Sequence, residues 1–289
     1  MPTLTLALWL ADAEKRLAHV LKDKDIAHQD VHWIASKILK RDRSWLLTHR
    51  DATLKTLQLW NLNRLLRRRL RDEPLAYLLN SAPFYGRDFY VDKRVLIPRP
   101  ETEDLIEIAL RRLEHLKHPT IIDVGTGSGA ISITMALESH DATVFATDLS
   151  RRALAIAKKN AKHLKAKIHF NKGNLLTAKL LNKIDTDSPL CILANLPYLP
   201  PEDKRSMPKS VTSYEPSMAL FASNKGLALN ERLLAQASEH NAAFVLLEFD
   251  PPQAPKLRDI AARLFPNAII RIHHDRCGRD RILEVLRTD

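Results

Sequence analysis

Apolar residues in the first 73 positions recur at helical spacing. They run Leu10, Ala13, Leu17 and the pair Val20 and Leu21, then Val31, Ile34, Ala35, Ile38 and Leu39, then Leu59, Leu62, Leu65, Leu66 and Leu70. No strand pattern interrupts them, so 1–73 is predicted to be a small helical bundle. From 74 to 100 the texture changes to Pro83-Phe84-Tyr85-Gly86, Phe89-Tyr90-Val91 and Val95-Leu96-Ile97-Pro98-Arg99-Pro100. Two β-prone runs flanking Asp92-Lys93-Arg94 predict a hairpin linker there. A helix should begin near Thr102, with Glu101, Glu103 and Asp104 at its positive end. Strand-like runs follow at 120–124, 143–147, 167–170, 190–194, 244–249, 268–272 and 282–286, alternating with helical patterns at 130–138, 151–164, 226–239 and 253–264. That alternation predicts an α/β domain with a mostly parallel, seven-stranded sheet covered on both faces. Only 275–281 separate the last two strands, too few residues for a crossover helix, so those two should pair antiparallel at one edge.

In such a sheet, ligands bind beyond the carboxyl ends of the strands, and the candidate chemistry lies there. The first strand runs into Asp123-Val124-Gly125-Thr126-Gly127-Ser128-Gly129-Ala130, where three glycines allow a tight turn and close approach of a ligand to the helix start. The second strand ends in Asp148, placed to accept from both hydroxyls of a ribose. A nucleoside cofactor is therefore expected. The spacing Gly125-x-Gly127-x-x-Ala130 also satisfies the dinucleotide fingerprint, but two features favour S-adenosylmethionine over NAD. Asp123 precedes the glycines at the spacing usual in methyltransferases, where a carboxylate supports the methionine end, and the sheet is expected to close with an antiparallel edge strand. The loop Gly173-Asn174-Leu175 would then meet the adenine, Asn174 accepting from its amine and Leu175 covering the ring. After the fourth strand comes Ala194-Asn195-Leu196-Pro197-Tyr198. The Asn195 amide oxygen and the Leu196 carbonyl can accept from an NH2 group, Pro197 restrains the loop, and Tyr198 can pack on a planar substrate. The plain alternative is an ordinary turn, since Asn and Pro punctuate loops generally.

Composition narrows the setting. With 289 residues, 45% of them hydrophobic, the chain can bury a substantial core. A net charge of +11 favours an anionic partner such as nucleic acid, a ribonucleoprotein or an acidic protein. The densest basic cluster, Arg64, Arg67, Arg68, Arg69 and Arg71, lacks an aromatic stacking pattern and reads as a solvated helix face. No eighteen-residue apolar run and no basic-then-apolar leader is present, so a cytoplasmic protein without membrane contact is expected. Cys191 and Cys277 make no metal framework, and His19, His28, His32 and His49 read as surface or boundary residues, so no metal is expected.

Taken together, these pieces resemble the protein-(glutamine N5) methyltransferases, the HemK family, over nearly all of the chain. The resemblance rests on the helical N-terminal region, Pro83-Phe84-Tyr85-Gly86 through Leu96-Ile97-Pro98-Arg99-Pro100-Glu101-Thr102-Glu103, the loop 123–129, Asn195 to Tyr198, and Tyr214-Glu215-Pro216 with Ala219-Leu220. The tail, Asp275 with Cys277-Gly278-Arg279-Asp280-Arg281, is similar to the branch that methylates peptide-chain release factors. The resemblance implies a helical substrate-recognition domain at 1–73, a β-hairpin linker at 74–100 and a Rossmann-like class I methyltransferase domain at 101–289. It implies S-adenosyl-L-methionine held by Phe84, Asp123, Gly125, Thr126, Gly127, Ser128, Gly129, Asp148, Asn174, Leu175 and Asn195. Asn195, Leu196, Pro197 and Tyr198 would carry methyl transfer to the glutamine of a release factor's Gly-Gly-Gln loop. The expected state is a monomer, with ribosomal or nucleic-acid contact allowed through the basic surface.

Three positions depart from the family pattern. The acceptor motif usually reads Asn-Pro-Pro-Tyr, whereas Leu196 stands second here, as in the rRNA adenine dimethyltransferases. Asn174 replaces a common Asp, and Asp250 stands where Gly is usual. Two further readings therefore stay open: methylation of an exocyclic amine in RNA or DNA, and a catalytically weakened protein that keeps the cofactor fold and binds a translation factor.

Overall fold

The computed structural model describes residues 4–288. They form two compact units, one comprising the chain up to Ser81 with Pro208–Tyr214, the other 82–207 with 215–288.

The first unit is helical: α1 (Leu6–Leu21), α2 (Lys24–Leu39), α3 (Arg43–Thr48), α4 (Thr56–Arg69) and α5 (Leu75–Leu79), with the short α10 (Lys209–Thr212) from the later segment. Local chemistry sets the ends. Asp23 accepts from Asp25 N and Ile26 N, both at 2.9 Å, to start α2, and Lys22 and Lys40 take left-handed conformations where α1 and α2 stop. Leu6, Trp9, Leu10, Ala13 and Leu17 pack with Val31, Ile34, Ala35, Leu62, Leu65 and Leu66. Val20, within the periodic pattern, is instead exposed.

Two readings of the polar residues here are corrected. The arginine cluster is not one solvated face: Arg69 is buried, its Nε 2.6 Å from the buried carboxylate of Asp30, and Arg68 forms two hydrogen bonds to Glu73. A guanidinium taken out of water needs a paired acid, and Asp30 supplies it from the neighbouring helix. His32 likewise is not a surface residue, being 3% exposed.

The second unit opens with a hairpin, β1 (Ala82–Phe84) and β2 (Arg87–Phe89), followed by α6 (Thr102–Leu113). Its turn is Tyr85-Gly86, not Asp92-Lys93-Arg94 as the sequence pattern suggested. Tyr85 and Gly86 have φ of 48° and 71°, the left-handed pair that suits a two-residue hairpin. At 92–95 the chain does turn, Val95 N donating to Asp92 O at 3.0 Å, but no strand follows. Pro98 and Pro100 lack the N–H a strand would use, and Ile97 N donates to the Glu215 side chain. Phe84 and Phe89 meet edge to face at 5.9 Å and sit in the core beside α6, so the hairpin belongs to this unit's interior.

The remaining strands are β3 (Thr120–Val124), β4 (Thr143–Asp148), β5 (His169–Lys172), β6 (Leu190–Ala194), β7 (Phe244–Glu248), β8 (Ala268–His274) and β9 (Asp280–Arg287). Between them run α7 (Ala130–Glu138), α8 (Arg151–Leu164), the short α9 (Ala178–Leu181), α11 (Ala228–Glu239) and α12 (Ala254–Leu264). The order is β5-β4-β3-β6-β7-β9-β8, parallel from β5 to β7, with β9 antiparallel to both neighbours. β5 begins two residues later than its apolar pattern suggested because pairing with β4, Phe145 opposite His169, sets the register of an edge strand. Strands β3, β6 and β7 are buried along their whole length between two apolar layers, which is why they read as mostly apolar runs, with Thr120, Asp123 and Glu248 the buried polar exceptions. The order reverses between β3 and β6, and a crevice at their carboxyl ends is the expected ligand site.

Candidate active site

A cavity of about 180 Å³ opens at that crevice. Phe84, Gly125, Thr126, Gly127, Ser128, Asp148, Asn174, Leu175, Asn195, Leu196 and Pro197 all line it. Residues scattered over 114 positions of sequence are thus brought onto one wall by the parallel strand ends.

The glycine loop is held by the neighbouring strand. Gly125 N and Thr126 N both donate to Thr147 O, at 2.8 and 3.0 Å. Asp148 is fixed by two backbone donors, Gly127 N at 2.9 Å to one oxygen and Ser150 N at 2.7 Å to the other. Each oxygen keeps a lone pair, so a carboxylate on the cavity wall remains able to accept from a diol. Burial pushes its pKa up, opposed by the Ser150 and Gly127 amides. On α8, Asn160 is wholly buried and clamps three backbone groups. It accepts from Tyr90 N at 2.9 Å and donates to Tyr90 O at 3.0 Å and Ser128 O at 2.8 Å, tying the segment after the hairpin to the glycine loop. The loop after β5 holds Leu175 at φ 61°, a strained conformation for a branched side chain. Gln236 secures the next residue by bonding both Leu176 N and Leu176 O at 3.1 Å.

Three expected site residues stand behind the wall. Gly129 is the left-handed residue at the start of α7, and its missing side chain leaves room for Ile133 and Ala157. Asp123 is fully buried, one oxygen accepting from Thr126 Oγ1 at 2.5 Å and Ser132 N at 3.0 Å, the other without a partner among the described residues. Desolvation raises its pKa to about 6. Tyr198 directs its hydroxyl inward to Glu248 at 3.0 Å rather than toward a ligand. Burial and the neighbouring Glu248 carboxylate push its pKa well up, so it is no base.

That inward contact is part of a relay that sequence reading did not find. Asn195 Nδ2 donates to Thr102 Oγ1 at 3.0 Å, and Thr102 Oγ1 donates to Glu248 Oε2 at 2.6 Å. Glu248 is 1% exposed and accepts from Thr102 on one oxygen and Tyr198 on the other. A hydroxyl has one proton, and Thr102 gives its own to the carboxylate, so only the NH2 end of Asn195 can face it. The Asn195 amide oxygen is thereby left for the cavity, with no hydrogen bond to any described residue. The signal was available as a Thr at a helix start and a Glu ending an apolar strand, both oddly placed polar residues.

Known proteins match over most of the chain. Residues 9–79 fit the family model described as PrmC N-terminal domain, and residues 106–202 that of the methyltransferase small domain. The release factor glutamine methyltransferase of Enterococcus faecalis is 35% identical, covering 87% of this chain and 90% of its own length. That of Lactococcus lactis is 38% identical over 84% and 87%. The chain belongs to the release factor glutamine methyltransferase family. It is a methyltransferase, and its cofactor is S-adenosylmethionine. Among solved structures, the hMettl16 catalytic domain in complex with a 3'UTR hairpin has a TM-score of 0.57 at 16% identity, covering 84% of this chain and 85% of that one. It shares the fold.

Two of the three departures of this methyltransferase from the family pattern, Leu196 and Asp250, lie in closely packed surroundings. Leu196 is buried, and its Cδ2 lies 2.8 Å from where a Gly125 side chain would begin. With Gly125 at φ 79°, both space and backbone demand glycine there. Asp250 starts the turn before α12 through its backbone, its N–H donating to Gln253 Oε1 at 3.2 Å and its carbonyl accepting from Gln253 N at 2.8 Å, and Gln253 donates to Tyr198 O at 2.7 Å and Lys225 O at 3.0 Å. A Cβ on Gly226 would fall 1.8 Å from the same Tyr198 carbonyl, so the loop end is closely packed. Glu215 is buried and accepts from Ile97 N at 3.1 Å and Arg99 at 2.6 Å, which brings Pro216, Met218 and Ala219 to the cavity beside Pro98 and Arg99. No described helix is long and apolar enough to cross a membrane.

Proposed function

We propose that this chain transfers a methyl group from S-adenosylmethionine to the side-chain amide nitrogen of a glutamine, in the Gly-Gly-Gln loop of a peptide-chain release factor. The observation that carries the reading is Asn195, whose amide oxygen is the one polar atom of that side chain left for the cavity. The names of the relatives at 35% and 38% identity support the acceptor.

When bound, the cofactor supplies an electrophilic methyl on its sulfonium. Asp148 would hold the ribose, the loop 125–128 would face the chain joining ribose to sulfur, and Asn174 and Leu175 would meet the adenine, with Phe84 closing an apolar side. Asp123, buried behind this loop, would act through it, holding Thr126 Oγ1 and Ser132 N rather than touching the cofactor. The acceptor amide is a poor nucleophile because its lone pair is delocalised. Asn195 Oδ1 and the Leu196 carbonyl would accept from its NH2, holding nitrogen in line and favouring the positive charge that develops there. Orientation of this kind is worth up to about 7–11 kcal/mol in the best intramolecular cases. The methylated amide is acidic enough to release its proton to water without a dedicated base. Docking of the protein substrate falls to the helical unit, which exposes Leu8, Leu57 and Trp60.

The test is incubation with labelled S-adenosylmethionine and, separately, release factor and RNA, followed by mass spectrometry. One methyl on the Gly-Gly-Gln glutamine is expected. Label on an RNA adenine with that glutamine untouched would overturn the proposal.

A further inference from the structure

The helical unit carries a cluster of its own that methyl transfer does not use. His28 and His32 lie four residues apart on α2, hence one turn apart on the same face, and Glu14 approaches them from α1. Glu14 Oε1 is 3.1 Å from His28 Nδ1 and 3.2 Å from His32 Nε2. The three donor atoms lie within 4.8 Å of one another, and the two rings are 4.1 Å apart. An ion with tetrahedral bonds of about 2.0–2.1 Å sets neighbouring donors about 3.3 Å apart, which is close to the two Glu14–His spacings.

We propose that Glu14, His28 and His32 bind one divalent transition-metal ion of the zinc class, joining α1 to α2. Two imidazoles select against magnesium and calcium, and a His2Glu set leaves a fourth position for water. His32 is buried while the side chains of Glu14 and His28 are 32% and 44% exposed, so the site has a fixed floor and an open mouth through which an ion and its water can pass. His32 Nδ1 has no hydrogen-bond partner among the described residues. Ligating histidines ordinarily bond through the second nitrogen, and lacking that bond lowers affinity by roughly 10–100-fold, so the site should be a modest binder.

The experiment uses the tag-free full-length chain, stripped with chelator and titrated with zinc chloride by calorimetry, with cobalt as a spectroscopic substitute. One equivalent of zinc, a visible absorption band of four-coordinate cobalt and a metal-dependent rise in Tm are expected. His28→Gln and Glu14→Gln, both at partly exposed positions, should each weaken binding at least tenfold, while His19→Gln on the exposed side of α1 should leave it unchanged. Absence of saturable one-equivalent binding, or equal binding by folded His28→Gln, would overturn the proposal.

Discussion

Thr102 touches both the residue proposed to hold the acceptor and the buried acid behind it, so Thr102→Val isolates the relay. Val has a similar shape and lacks only the hydroxyl, at a position 4% exposed. Two hydrogen bonds disappear, the 2.6 Å bond to Glu248 and the 3.0 Å bond from Asn195. Glu248 keeps Tyr198 but loses a donor in a site where burial already raises its pKa. Hydrogen bonds to charged groups contribute about 1.5–3 kcal/mol, and urea unfolding should show a loss of that order. Asn195 would then be free to turn its NH2 toward the acceptor's own NH2, a repulsive pairing. A misplacement of about 1 Å in a reacting geometry can cost a hundredfold, so turnover should fall roughly tenfold to a hundredfold. Asn195→Ala sets the limit at roughly a hundredfold or more. Initial rates with a release factor at saturating cofactor measure the effect, and calorimetry should show cofactor affinity nearly unchanged. Thr102→Ser restores the hydroxyl and should recover most of the rate. Wild-type turnover in folded Thr102→Val, or a Ser variant as slow as Val, would refute the relay.

Asp148→Ala should weaken cofactor binding by about 1.5–3 kcal/mol, because a carboxylate accepting from hydroxyls is lost; unchanged affinity by calorimetry removes that role. For Asp123 the folded pKa of about 6 lies above the unfolded 3.8, so its contribution to stability is full below the unfolded value and fades as pH rises through the folded one. Chemical denaturation across pH 4 to 6.5 should show about 3 kcal/mol of loss from this group, and Asp123→Asn should flatten that slope; a slope kept in the variant contradicts the assignment. Leu196→Ala should cost about 2–5 kcal/mol through the cavity left against Gly125. Leu196→Pro should keep release-factor methylation, and its loss in a folded variant would mark Leu196 as fitted to another acceptor.

Elements buried on both faces were legible in the sequence because mostly apolar residues suit them. β3 and β6 are found where mostly apolar runs place them, and α8 spans Arg151–Leu164 as its period and Ser150 cap indicate. The hairpin was placed one turn late because the apolar residues at 89–91 and 95–97 outweighed the Tyr85-Gly86 turn, whose two positive φ angles are the decisive feature. Among site residues, those whose main chain lies at a strand end could be located from the strands alone. Thr102, Asn160, Glu215 and Glu248 could not, since each acts across 70 or more positions of sequence on a partner that only the fold supplies. Asn160 left a trace as an isolated polar residue on the apolar face of α8, beside Ala157 and Ala161.

A proline at 196 would restrain the acceptor loop through its own ring, and Leu196 cannot do that. The loop is restrained from outside instead. Its start is held by Asn195 on Thr102, its middle by the Leu196 side chain buried over Gly125, and its end by Gln253 on the Tyr198 carbonyl. Gln253 owes its position to the turn that begins at Asp250, whose backbone N and O both bond to it. Both contacts that hold Gln253 at the start of that turn use the Asp250 main chain, its N–H donating to Gln253 Oε1 at 3.2 Å and its carbonyl accepting from Gln253 N at 2.8 Å, so a glycine at 250 would offer the same two groups. The contact of Leu196 with Gly125 has a second side, since Gly125 belongs to the glycine loop proposed to face the cofactor and shares the Thr147 carbonyl with Thr126. The loop proposed to hold the acceptor and the loop proposed to face the cofactor therefore share one packed contact, Leu196 against Gly125.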